Sequence, residues 1–407
     1  MSYTIRSFIA SDGERLSQLY DAQVGGFPLY YPTAYISRSV RPSATHNTQK
    51  VHLEALKRVC EWESNQDFVI AIRLQKQEFL NNQEIESLTR HIGKRRKGND
   101  GEVIGRDKYN TYVAYAADYI SWLANEVITE TNISSVHSLI KRQHKAMLSK
   151  LARKAGSRSA RRQQFVAMHL PKETQLALVK LFKNPFVSIT RLSDKGPRLR
   201  NVAMLRVLYE TGIRRGELLS LKFSALQESS GGEGAFLLIE RNHHDEFDSR
   251  VSQPVAKTLG RIVPISIEAE TLLLEYRDQW RAELPGIGFS NNDFLFVSHR
   301  TGRFQGEPVT ETGFNSALTN LKKSIPELDA LHPHLLRHDW NYRFSQKVDS
   351  EGWDFEAERE VREKLMGWVP NSNMSLLYNQ RHIQEKANKI GLQVASDTER
   401  PDSKNED

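Results

Sequence analysis

Cysteine is almost missing from this chain: Cys60 is the only one in 407 residues. That excludes an intrachain disulfide and any cysteine-built metal cluster, and leads to the expectation of a reducing compartment, cytoplasm or nucleoid. Long apolar runs are missing too. No segment approaches the roughly 20 continuous apolar residues that span a bilayer, and Met1–Phe8 lacks the apolar core of a leader peptide, so neither membrane insertion nor secretion is expected. No internal repeat is evident. Acidic residues vanish locally as well: between Lys141 and Gln164 there are nine Lys or Arg and no Asp or Glu, in a chain whose overall excess is only +7, from 57 basic and 50 acidic residues. From charge alone, such a run reads equally as a solvated linker or as a nucleic-acid contact.

A chain of this length can bury a sizeable core and fill two or three domains. Residues 1–44, with Gly25-Gly26-Phe27-Pro28 and Tyr30-Tyr31-Pro32, read as an N-terminal segment of irregular or short β structure. Helical periodicity begins near Thr48, where Leu53, Leu56, Val59 and Trp62 recur at three-to-four spacing. It returns with Tyr109, Tyr112, Tyr115, Tyr119 and Trp122, a spacing that favours core packing over base stacking. A new helix is expected after Leu170-Pro171. Phe236–Ile239, Ser252–Thr258 and Arg261–Ile265 have the composition of three strands. Residues 396–407 carry no large apolar side chain and read as a disordered tail. The fold class expected is mainly α with a small β-sheet.

The chemistry lies in the second half. Arg214 follows Thr211-Gly212-Ile213 and starts a helix, where backbone N–H groups and the helix dipole also favour an anion. Glu217, three residues on, either orients that guanidinium or forms an ordinary surface pair. His334 and Arg337 share one helix face just after Pro333, which suits a first helical turn. Trp368 follows Gly367, and Tyr378 comes ten residues later. Two arginines suit the nonbridging oxygens of a phosphodiester, whose charge grows during attack. A tyrosine hydroxyl can attack the phosphorus and stay attached to it. Asn242-His243-His244-Asp245-Glu246 could be mistaken for a zinc site, yet adjacent side chains rarely converge on one ion, and a solvated loop is the stronger reading.

The order and wording of these pieces resemble the tyrosine recombinases of the phage-integrase family, over roughly Leu170 to Leu392. The family pattern is Thr-Gly-x-Arg-x-x-Glu-Leu, then a hairpin lysine, His-x-x-Arg, Gly-His or Gly-Trp, and a final Tyr. Here these are Arg214, Lys257, His334, Arg337, Trp368 and Tyr378, with one residue more than usual between the last two. The resemblance implies a helical core-binding domain at 45–165, including a basic linker, and a catalytic domain at 166–395, together forming a clamp on DNA. Arg153, Lys154, Arg158, Arg161 and Arg162 would then track the DNA backbone.

It further implies a site-specific recombinase that cuts and rejoins double-stranded DNA through a 3′-phosphotyrosyl intermediate, with no metal or nucleotide cofactor. Lys257 would act as general acid toward the departing 5′-oxygen, and His334 would manage the tyrosine proton. A dimer on each site and a tetramer in the synapse are the implied assemblies. Two alternatives stay open: a DNA-binding structural or regulatory protein on the same fold, and a metal-free topoisomerase-like enzyme that relaxes rather than recombines.

Overall fold

The computed structural model describes residues 3–23, 25–95, 102–129, 133–153, 170–256 and 258–396; of the tail expected at 396–407, Ser396 ends a helix and the rest lies outside the described residues. The chain divides into two compact units, Met1–Gly156 and Ser157–Asp407.

In the first unit, alternation of the second strand sets the layering. β1 (Tyr3–Ile9) and β2 (Arg15–Asp21) form an antiparallel hairpin in register Tyr3↔Asp21 to Ile9↔Arg15. Arg15, Ser17 and Leu19 of β2 are buried, as every second residue on one face of a pleated strand must be. α1 (Tyr30–Tyr35) follows and runs on through Ile36–Val40. Residues 1–44, expected as irregular or short β, thus contribute a hairpin and a helix. Tyr3, Leu19, Tyr35, Ile36 and Val40 share one core with the helices after them.

α2 (His46–Glu63) buries Leu53, Leu56, Val59 and Trp62, the stripe its periodicity marks out. α3 (Ile70–Gln75) leads to α4 (Asn82–Gly93), which opens with a capping box. The Asn81 side chain accepts from the Gln83 and Glu84 amides at 2.9 Å each, and Glu84 accepts from the Asn81 amide at 2.8 Å. α5 (Arg106–Val127) buries Tyr112 and Tyr119 beside Val113, Ala116 and Ile120, while Tyr109, Tyr115 and Trp122 pack partly buried against them. The aromatic column is therefore core. α6 (Ile133–Leu148) carries Lys141, Arg142 and Lys145 of the basic run. Arg153 is exposed, and Lys154, Arg158, Arg161 and Arg162 lie outside the described residues.

The second unit is built around one helix. α7 (Lys172–Lys183) precedes α8 (Leu192–Thr211), whose Leu199, Val202, Leu205 and Leu208 are buried at helical spacing. A one-turn helix, α9 (Arg215–Leu219), follows, and then a three-stranded antiparallel sheet. Its order is β3 (Leu226–Gln227), β4 (Phe236–Ile239) and β5 (Arg261–Pro264).

Of Ser252–Thr258, expected as a third strand, the described residues form none; Leu226–Gln227 takes that place beside β4. Pro254 lacks the N–H a ladder needs, and the segment is tied down by side chains instead. Arg250 pairs with Asp248 at 2.8 Å and donates to the carbonyls of Leu219 and Val309 at 3.0 and 2.7 Å. Gln253 donates to Asn242 O at 2.9 Å.

α10 (Ile267–Glu275), α11 (Glu311–Ser324), α12 (Pro333–Ser350), α13 (Phe355–Met366) and α14 (Met374–Ser396) complete the described residues. The described residues are mainly helical with two small antiparallel sheets. Among the described residues no helix is long and apolar enough to cross a membrane.

Candidate active site

The turn that presents Arg214 depends on one glycine. Gly212 ends α8 in the left-handed region at φ 63°, its N–H bonded to Leu208 O at 3.0 Å. A Cβ there would meet Trp340 Cγ at 2.8 Å, so both backbone conformation and space require glycine. Arg214 is then the extended N-cap of α9, with Glu217 accepting from its amide at 2.9 Å. Arg215 points elsewhere, donating to Asn315 and Glu311 of α11 at 3.0 and 2.7 Å. Arg214 reaches the Glu217 carboxylate only at 3.5 Å and lines a cleft of about 580 Å³.

The His-x-x-Arg helix is stitched to the end of α8 by its own donors. Arg337 Nη1 donates to Gly212 O at 2.7 Å, Trp340 Nε1 to Glu210 O at 2.7 Å, and Arg343 Nη2 to Tyr209 O at 2.5 Å. Carbonyls at a helix C-terminus have no partner within the helix, and α12 supplies three donors at three-residue spacing to meet that need. This brings Arg337 and His334 to the same cleft as Arg214. Arg337 is fully buried, its Nη2 3.5 Å from Met366 O and its guanidinium carbon 5.6 Å from the centre of the Trp368 ring. Trp368 itself is buried in a small cluster with Met366, Trp340 and Met374.

His334 and His338 approach Nε2 to Nε2 at 3.1 Å, so one ring donates and the other accepts. Desolvation, followed by His334, His332 and Arg337, lowers the His338 pKa to about 4. His334 is lowered as well, by desolvation first and then by His332, Arg337 and Arg214. Both shifts favour the neutral imidazole. His338 is the neighbour that fixes the His334 ring.

Glu217 is not a surface residue. Its carboxylate is buried and accepts from Arg261 Nη2 at 2.8 Å and from Thr258 Oγ1 at 2.5 Å. Burial alone would raise its pKa. The Arg261 charge and the hydrogen bonds from Arg261, Thr258 and the Arg214 amide outweigh that and hold it below the ordinary carboxylate value. Arg261 also donates to Leu365 O at 2.7 Å. One buried arginine on β5 therefore ties the Arg214 turn to the end of α13, where Gly367, at φ 66°, lets the Thr258–Leu259 backbone approach and bond at 2.9 Å.

Sequence reasoning missed Arg261; its one signal was a charged residue opening an otherwise apolar strand. Arg261→Met is expected to cost about 3–5 kcal/mol by stranding a buried carboxylate. Denaturant unfolding should show the loss, and Arg261→Met with Glu217→Gln should recover much of it. An unchanged midpoint in the single variant would show that the pair contributes nothing.

Lys257 lies outside the described residues, although its neighbours Ala256 and Thr258 are placed beside this network. Tyr378 sits one turn into α14; its side chain lies outside the described ones. In the 242–246 patch, Asp245 pairs with Lys222 at 2.8 Å and His243 accepts from Arg241 at 2.9 Å, contacts internal to this unit.

The model of the phage integrase family matches residues 184–381. Tyrosine recombinase XerC of Bacillus pumilus is 28% identical over 224 residues, covering 54% of this chain and 62% of that protein. XerC of Roseiflexus castenholzii is 30% identical over 169 residues, covering 40% and 43%. XerD of Listeria monocytogenes is 28% identical over 168 residues, covering 40% and 46%. The chain thus spans less than two thirds of the length of these curated relatives. Among solved structures, the pre-cleavage complex of XerH site-specific recombinase with its difH substrate aligns over 84% of this chain and 79% of that one. Its TM-score is 0.51 at 16% identity, a likeness of fold.

Proposed function

We propose that this chain, which belongs to the phage integrase family of tyrosine recombinases, is a site-specific DNA recombinase. The Tyr378 oxygen attacks the phosphorus of a scissile phosphodiester, the P–O5′ bond breaks, and a 3′-phosphotyrosyl link and a free 5′-hydroxyl result. A 5′-hydroxyl from the partner duplex reverses the step. Arg214 and Arg337 hold the nonbridging oxygens, His334 takes the tyrosine proton, and Lys257 protonates the departing 5′-oxygen. Trp368 backs Arg337. No metal or nucleotide is needed, because the phosphodiester bond energy is kept in the covalent link.

The observation that carries this reading is the 2.7 Å bond from Arg337 Nη1 to Gly212 O, which supports both arginine motifs at one cleft. The test is a nicked suicide substrate from which the 5′ fragment escapes. A protein–DNA adduct mapped to Tyr378, with a free 5′-hydroxyl, is expected; absence of any adduct across candidate sites would overturn the reading.

In this reading double-stranded DNA is the substrate, two protomers occupy each site, four form the synapse, and the protein works in the cytoplasm on the nucleoid. Residues 45–165 serve as the core-binding domain with its basic linker, and 166–395 as the catalytic domain. Arg153, Lys154, Arg158, Arg161 and Arg162 contact the DNA backbone. Replacing Arg153, Lys154, Arg161 and Arg162 with Gln is expected to flatten the plot of log affinity against log salt by about 0.9 for each phosphate no longer neutralised, equally on specific and random DNA. An unchanged slope would make the run a solvated linker.

A further inference from the structure

Between Trp368 and Tyr378 the chain must leave one buried element and start another helix, and a single carboxylate holds that passage. Glu363, near the end of α13, is itself buried. Its Oε2 accepts from the Asn371 amide at 3.1 Å and its Oε1 from the Ser372 amide at 3.0 Å. Its backbone oxygen accepts from the Trp368 amide at 2.9 Å. One residue thus grips the turn at both ends. Asn371 has φ 60°, and a left-handed residue followed by another amide turns successive N–H groups toward one side, forming a concave nest that favours an anion. Here an internal carboxylate fills it. Ser372 Oγ then accepts from the Met374 amide at 3.2 Å, and Met374 packs against Trp368 and Met366. Tyr378 follows Met374 by about one helical turn.

We propose that Glu363 is a positioning residue for the nucleophile: its carboxylate fixes the 369–373 turn and thereby the start of the helix that carries Tyr378. The inference rests on the reading of Tyr378 as nucleophile. It also explains how the chain accommodates one residue more than usual before that tyrosine. The additional residue is folded into an anchored turn, with Asn371, a residue type that tolerates positive φ, at the strained position. Without the anchor, α14 would remain tied by Met374 packing and by the Lys386–Asp349 pair at 2.7 Å, so its first turn would loosen without detaching.

The experiment uses the full chain and the isosteric variant Glu363→Gln, with Glu363→Ala as the second. Single-turnover cleavage is measured on the suicide substrate and on a version with sulfur at the bridging 5′ position, which leaves without needing a proton. A misplaced nucleophile lowers both rates, by about tenfold to a hundredfold on the scale of a displacement near 1 Å. DNA affinity stays unchanged, which also reports that the variants fold, and hydrogen exchange at the Asn371 and Ser372 amides accelerates. Wild-type rates in both variants, or a defect that the sulfur substrate repairs, would overturn the proposal. Cleavage that falls only in step with affinity would reduce Glu363 to a general stability role and overturn it equally. If the wild-type chain itself forms no adduct, it is the recombinase reading that fails, and the exchange measurement still reports on the anchor.

Discussion

Tyr378→Phe is expected to bind its DNA with unchanged affinity and to form no covalent complex. Phenylalanine removes one oxygen and keeps the ring, so the first turns of α14 retain their packing through Met374 and their tie to Glu363. What disappears is the atom that bonds to phosphorus. Tyr342, the other tyrosine beyond the His-x-x-Arg motif, lies mid-helix in α12 with its hydroxyl accepting from Gln346 Nε2 at 2.9 Å. An SDS-resistant adduct between protein and suicide substrate is the readout. Persistence of that adduct in the variant, traced by peptide mapping, would move the nucleophile to another residue.

Three of the motif segments were legible in the sequence because the local wording of each is constrained. Thr211-Gly212 needs a helix end, Pro333 before His334 needs a helix start, and Gly367 before Trp368 needs a left-handed cap. What joins those segments was not legible. The Arg261–Glu217 pair spans 44 residues and the Arg337–Gly212 bond spans 125, and side-chain-to-carbonyl bonds at such separations leave no periodicity to read. The strand assigned to Ser252–Thr258 failed for a related reason. Apolar composition is shared by a strand and by an irregular segment pinned through Arg250 and Gln253, and Pro254 was the signal that separated them. The opening segment hid its helix at Tyr30–Tyr35 because glycine and proline around it suggested only turns.

Arg214→Ala is expected to slow cleavage by about a hundredfold to a thousandfold, the scale of losing one preorganised donor to a developing oxyanion, while DNA affinity changes far less. The two arginines are not equivalent as tests. Arg337 is fully buried and supports Gly212 O and the Trp368 cluster, so its removal also leaves a cavity and unmet carbonyls, and slow cleavage there mixes chemistry with folding. Arg214 stands on an extended N-cap with its side chain 27% exposed, and Glu217 beneath it stays neutralised by Arg261 when Arg214 is gone. Its loss therefore reports on the phosphate. Arg214→Lys keeps the charge without the planar fork and should recover only part of the rate, since a point charge cannot span two nonbridging oxygens. Equal single-turnover rates for wild type and Arg214→Ala would assign Arg214 to the fold and leave Arg337 as the sole guanidinium at the phosphate.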